Sequence, residues 1–214
     1  MRTDDELKTL VRDELNWDPR ITSTAIDTEV RHGIVTLSGH VGSYAEKLAA
    51  ERAAERVSGV KGVVIKMEVR EDTAQKDEQI ALAARAALQW YVHVPADALQ
   101  LEVENGRVTL RGDVQWGFQR RSAESVVSHL RGVRGVHNEI RVIPKLVPEE
   151  VEGKIESALR RHAQREAHHI SVKASAGVVT LEGTVDSLAE RRAAVGAAWS
   201  APGVSEVINR LRVG

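Results

Sequence analysis

Hydrophobic and polar positions along this chain change period in the same order three times. Apolar residues first recur four apart, at Leu7, Val11 and Leu15, at Ile80, Ala84 and Leu88, and at Val151, Ile155 and Leu159. That spacing stacks them on one face of a helix. Asp4, Asp5 and Glu6 suit a helix start, where the macrodipole favours negative charge. Pro148 with Glu149 and Glu150 marks the third start in the same way. Strict alternation follows: Ile26, Thr28 and Val30 against Asp27 and Glu29, then Leu99, Leu101 and Val103 against Gln100 and Glu102, then Ile170, Val172 and Ala174. A half-buried strand has this period of two. His32-Gly33, Asn105-Gly106 and Ala176-Gly177 then supply a tight turn, because glycine tolerates positive φ and Asn-Gly is a strong hairpin signal.

A second strand puts Val35, Leu37, Gly39 and Val41 on its inner face, copied as Val108, Leu110, Gly112, Val114 and as Val179, Leu181, Gly183, Val185. Inward glycines at Gly39, Gly112 and Gly183 imply close approach of another backbone, for which a helix packed over the sheet is the expected partner. Next comes a second helix, from Ser43 to Val57 in the first copy, with a small inner stripe at Ala45, Ala49 and Ala53 and at Ala189, Ala193 and Ala197 in the third. A Gly-Val step leads into a last strand through Val63, Ile65, Met67 and Val69 and its equivalents. With a helix returning the chain, that strand should run parallel to its predecessor.

The copies align without an internal gap. HGIVTLSGHV (32–41), NGRVTLRGDV (105–114) and AGVVTLEGTV (176–185) match at offsets of 73 and then 71 residues, and VSGVKGV (57–63), LRGVRGV (130–136) and APGVSEV (201–207) keep that register. A fixed internal period overrides any length-based domain count. The predicted fold class is α+β: three tandem αββαβ modules at 1–70, 76–143 and 147–214, each a small three-stranded mixed sheet with two helices packed on one face. The linker at 70–77 is polar, whereas 143–148 is short and apolar and favours docking of modules two and three.

Composition narrows the chemistry. Net charge is −1, divided as −3 over 1–72 and +1 over each later third, so no segment advertises phosphate binding. The absence of cysteine excludes disulfides and thiolate chemistry. Acids interrupt the amino-terminal MRTDDELKTLVRDEL, which does not read as a secretory leader, and no stretch nears the roughly 20 apolar residues of a membrane span. A cytoplasmic location is therefore expected, or a periplasmic one if a leader was removed. No nucleophile elbow, phosphate loop or dinucleotide fingerprint is present, and the copies share apolar residues and glycines, so catalysis and cofactors are not expected. Histidines at His162, His168 and His169 lack metal-ligand spacing and read as surface residues.

The αββαβ order, the V-T-L-x-G-x-V strand and the later G-V-x-x-V strand resemble the BON domain family, in OsmY-like form, over nearly the whole chain. The resemblance implies a non-catalytic module. Members include osmotically induced periplasmic proteins, and the family's implied roles are phospholipid or membrane-surface binding and protein interaction. It brings no catalytic residues with it.

Candidate binding residues come mainly from the few aromatics, 3% of the chain. Trp17 and Trp90 stand at equivalent ends of the first helix, where the third copy has Arg161. Tyr44, Trp116 and Phe118 lie at the start of the second helix, where the third has Leu188. They can be rims that meet a lipid headgroup or partner, but helix-end lids and inter-module packing are the simpler reading. Trp199 aligns with Ser128 and Glu55, positions that read as exposed, and is the best candidate for a module–module or self-association contact. Arg120 and Arg121, with Lys47, Arg191 and Arg192, could engage anionic headgroups, yet Glu46, Glu51, Glu55, Glu124 and Glu190 interleave with them as on an ordinary solvated face. Gly59-Val60-Lys61-Gly62 and Gly132-Val133-Arg134-Gly135 resemble a nucleic-acid-clamping G-x-x-G, but helix-ending glycines explain them and nucleic-acid binding is disfavoured. Two functions compete: peripheral association with phospholipid in osmotic or envelope stress, and a protein-interaction scaffold, including a homo-oligomer. Equivalent rims on one side favour a membrane; scattered rims favour protein contacts.

Overall fold

The computed structural model describes residues 2–22, 25–70, 75–143, 170–175, 177–201 and 203–214. Module 1 runs α1 (Asp4–Trp17), β1 (Ile26–Arg31), β2 (Ile34–Val41), α2 (Tyr44–Arg56) and β3 (Gly62–Val69). Module 2 repeats it as α3 (Asp77–Trp90), β4 (Leu99–Glu104), β5 (Arg107–Val114), α4 (Gly117–Ser128) and β6 (Gly135–Val142). Module 3 shows β7 (Ile170–Ser175), β8 (Val178–Val185), α5 (Leu188–Ser200) and β9 (Glu206–Val213). Its expected first helix, with Val151, Ile155 and Leu159, lies outside the described residues, as do Arg161, His162, His168 and His169.

Each sheet has the order first–second–third strand, antiparallel then parallel, as the returning helix requires. Three separate cores fill the space between sheet and helices. In module 1, Leu7, Val11 and Leu15 meet Val35, Leu37, Val41 and Met67. Module 2 uses Ile80, Ala84, Leu88, Val108, Leu110, Val114 and Ile140 in the same roles. Each such aliphatic side chain contributes about 1.5–3 kcal/mol on burial. Opposite sheet faces carry charge: Arg111 reaches Glu102 and Glu139, both at 2.6 Å, and Arg210 reaches Glu182 at 2.9 Å.

The first-helix acids do more than suit a dipole. Thr3 and Glu6 form a capping box, while both Asp4 oxygens accept the turn N–H groups of His32 (2.7 Å) and Gly33 (2.9 Å). Asp77 repeats the clamp on Asn105 (2.7 Å) and Gly106 (2.8 Å). The turns need it, because His32 (φ +53°) and Asn105 (φ +52°) hold left-handed backbone beside their glycines. Those two backbone donors hold the Asp4 carboxyl below its ordinary range. A depressed carboxylate stabilises the fold above pH about 4, and its contribution is lost as pH falls through the lower folded value. The third copy has Pro148 at this position.

Two expectations are corrected. The backbone that approaches Gly39 and Gly112 is not a helix but the chain leading into the first strand. A Cβ on Gly39 would stand 1.9 Å from the Ala25 carbonyl oxygen, and one on Gly112 would stand 2.2 Å from that of Ala98. Both glycines hold positive φ (+113° and +135°), so the strand kinks there to admit the incoming segment. The core-facing helix stripe is also wider than expected: Ala49 and Ala53 are buried as expected, and the next residues join them. Ala50 and Ala54 correspond to Ala123 and Val127, and all four are buried with Ala198, whereas Ala193 is exposed.

Candidate functional site

The second helices do more than cover their own sheets. Leu188, first residue of α5, packs into the core of module 1, and Tyr44, first residue of α2, packs against the core of module 2. Gly117, first residue of α4, lies under Trp199 near the end of α5. One relation repeats: the start of each second helix meets the next module. Polar contacts follow it. Arg192 of α5 donates to Glu55 of α2 (2.6 Å), and its counterpart Arg121 of α4 donates to Ser200 of α5 (2.7 Å). A heterologous contact that returns to its origin after three steps closes a ring.

The ring rearranges the candidate residues. Tyr44 is half-buried at the contact between modules 1 and 2, and burial pushes its phenol up. Trp199 is half-buried, and its counterparts Ser128 and Glu55 are not the exposed positions expected: Ser128 is buried, and the Glu55 side chain is 12% exposed. Burial raises Glu55 against the opposing pull of Arg192. Arg121 is likewise drawn down by burial. Arg120 donates to the Asn138 carbonyl (3.2 Å) while the Asn138 amide donates to the Arg120 carbonyl (3.0 Å), fastening α4 to β6. Trp116 stacks on Phe118 at 6.5 Å, and His93 meets Phe118 edge-on at 6.1 Å. The basic and aromatic candidates on the second helix are thus half-buried and engaged with neighbouring groups of the protein.

Trp17 and Trp90 are not. Each is 86% exposed, which overturns the lid and packing reading for both. Tyr91, Val92 and Leu82 add exposed apolar surface near Trp90. Tyr91 and Val92 are sent outward by the turn after α3, whereas Leu82 faces solvent from within the helix, two residues past the buried Ile80. Trp17 and Trp90 end α1 and α3 at the same position of modules 1 and 2.

Two further groups prove structural. Glu46 is buried, accepts from Thr22 N (2.7 Å) and Oγ1 (3.1 Å), and takes Gly42 N at 2.8 Å. Gln119 binds Gln115 N and Trp116 N from the same position, and Glu190 binds Asp186 N. Glu46→Ala is expected to cost about 3 kcal/mol in urea unfolding, while Glu46→Gln, copying module 2, should cost under about 1 kcal/mol. Equal losses would refute the capping role. In the G-x-x-G segments, Gly59 and Gly132 have φ +94° and +89° after their helices, and the N–H groups of Lys61 and Arg134 donate to the turn glycines (2.9 and 2.8 Å). These loops tie helix end to hairpin.

Among the described residues no group of His, Asp or Glu could hold a metal, and no helix is long and apolar enough to cross a membrane. Fold and rim define a tandem-repeat α+β protein whose three modules close on one another. The BON domain family matches residues 3–71, 76–144 and 149–214, and the chain belongs to that family. Over 132 residues it is 33% identical to Osmotically-inducible protein Y of Escherichia coli (strain K12), covering 56% of this chain and 63% of that relative. The match thus spans less than two thirds of the relative's length. Among solved structures it is similar to CdsD, a structural protein of the type III secretion system of Chlamydia trachomatis, with 17% identity, 96% of this chain and 91% of that chain covered, and a TM-score of 0.27. The PrgH periplasmic domain gives 12% identity, 95% and 99% coverage and a TM-score of 0.23. A likeness of that depth carries no argument about partners.

Proposed function

We propose that this chain is a non-catalytic binding protein that associates peripherally with phospholipid surfaces, in an osmotic or envelope stress setting. The observation that carries this reading is the pair of equivalent, almost fully exposed tryptophans at the ends of α1 and α3. Indole is amphipathic and partitions to the depth of lipid headgroups. Two weak insertions on one rigid body reinforce each other through effective concentration. Membership in the BON family and likeness to an osmotically inducible protein support the setting.

Co-sedimentation with vesicles tests it. Binding to anionic phosphatidylglycerol vesicles is expected to fall about tenfold for Trp17→Ala or Trp90→Ala, and further for both together. Trp116→Ala should matter far less, because that ring lies against Phe118. Equal retention by the double variant would remove the rim, and absence of binding to any vesicle would leave the scaffold reading, in which the same tryptophans dock a protein.

A further inference from the structure

Module 2 contains a groove that module 1 does not share in character. A cleft of about 370 Å³ runs between α3 and the edge strand β4, lined by Leu82, Leu88, Leu99 and Leu101 together with Arg85 and Gln100. In module 1 the corresponding strip carries Thr9, Leu15, Ile26 and Thr28, and Arg12 reaches across to Asp27 at 3.7 Å. Three replacements (Thr9 by Leu82, Asp27 by Gln100, Thr28 by Leu101) make the strip apolar and remove the acid. Arg85 keeps the cation without the carboxylate: among the described residues it has no ion-pair partner. The third copy's first helix lies outside the described residues.

We infer that this groove binds a single-chain anionic amphiphile, a fatty carboxylate, with its chain between Leu82 and Leu101 and its headgroup on Arg85. The volume lies at the lower end of small-molecule sites and suits one chain rather than two. Guanidinium pairs with carboxylate through two parallel N–H donors, a stronger arrangement than a point charge provides. An exposed arginine beside leucines has no such selectivity for a cationic or neutral chain. The inference concerns a monomeric ligand and stands apart from the membrane reading.

The test is a titration of the ¹⁵N-labelled full chain with decanoate below its micelle concentration. Saturable shifts are expected in amides of α3 and β4. Decyltrimethylammonium, with the same chain and opposite charge, should bind at least about tenfold more weakly. Gln100→Asp recreates the acid of module 1 opposite Arg85 and should weaken decanoate by a similar factor while leaving the melting curve in place. Should that variant melt early, Leu101→Thr, again the module 1 residue, serves instead. Equal binding of the cation, or unchanged affinity in these variants, would overturn the assignment. So would saturation by an end-blocked apolar pentapeptide with no response to decanoate, which would make β4 a docking edge for extended peptide. Loss of vesicle binding on Trp90→Ala with decanoate binding intact would touch only the rim.

Discussion

Gly112→Ala is expected to destabilise module 2 strongly. The added Cβ would stand 2.2 Å from the Ala98 carbonyl oxygen and 3.1 Å from Leu99 Cδ2, at a φ of +135°. Left-handed backbone costs a residue with a Cβ about 1–2 kcal/mol, and overpacking adds about 1–3 kcal/mol. A module of this size has only about 4–10 kcal/mol in total, so the loss takes up to half or more of it. The unfolding free energy in urea should fall by about 2–5 kcal/mol, and Gly39→Ala should lower it by a similar amount. Gly196→Ala is the control. Nothing lies within 4 Å of its Cβ position, and it sits inside α5, so it should stabilise by about 0.5–1 kcal/mol. If Gly112→Ala and the control behaved alike, the close approach of the incoming chain would be refuted.

Those glycines show what sequence can and cannot say. Their inward parity was visible from Val35, Leu37 and Val41, and parity correctly implied a crowded site. It could not name the intruder, because Ala25 and Ala98 precede their strands in segments with no periodic pattern. Asp4 and Asp77 were similarly half-legible. A helix start favours acids in general, so nothing local revealed that these two reach about 28 residues along the chain to a hairpin turn. The modules themselves were legible because an offset of 73 or 71 residues repeats every period at once. Trp17 and Trp90 resisted reading for the opposite reason. A large apolar ring at a helix end is usually covered, and only the course of the backbone beyond α1 and α3 leaves these two bare.

The ring was the least legible feature, since its contacts link residues far apart in sequence, yet its logic is written in paired side-chain sizes. Where the helix starts with Tyr44 or Leu188, the counterparts of Trp199 are the smaller Ser128 and Glu55; where it starts with Gly117, the large Trp199 fills the gap. A Cβ on Gly117 would meet Trp199 O at 2.6 Å and Cε3 at 2.7 Å. Gly117→Leu should therefore part modules 2 and 3, break the Arg121–Ser200 hydrogen bond and expose the indole. With Trp17, Trp90 and Trp116 replaced by Phe, Trp199 emission should move to the red, and thermal unfolding should split into more than one transition. Trp199→Ala should restore the contact in the same chain, because leucine then occupies the vacated space as Leu188 occupies the core of module 1. Compensation of this kind appears in a double-mutant cycle as a coupling above about 1 kcal/mol. Additive losses would mean that the two residues do not share a contact, and the ring would open at this joint. If closure fixes how Trp17 and Trp90 stand relative to one another, vesicle binding by Gly117→Leu should weaken as well, although neither tryptophan is touched.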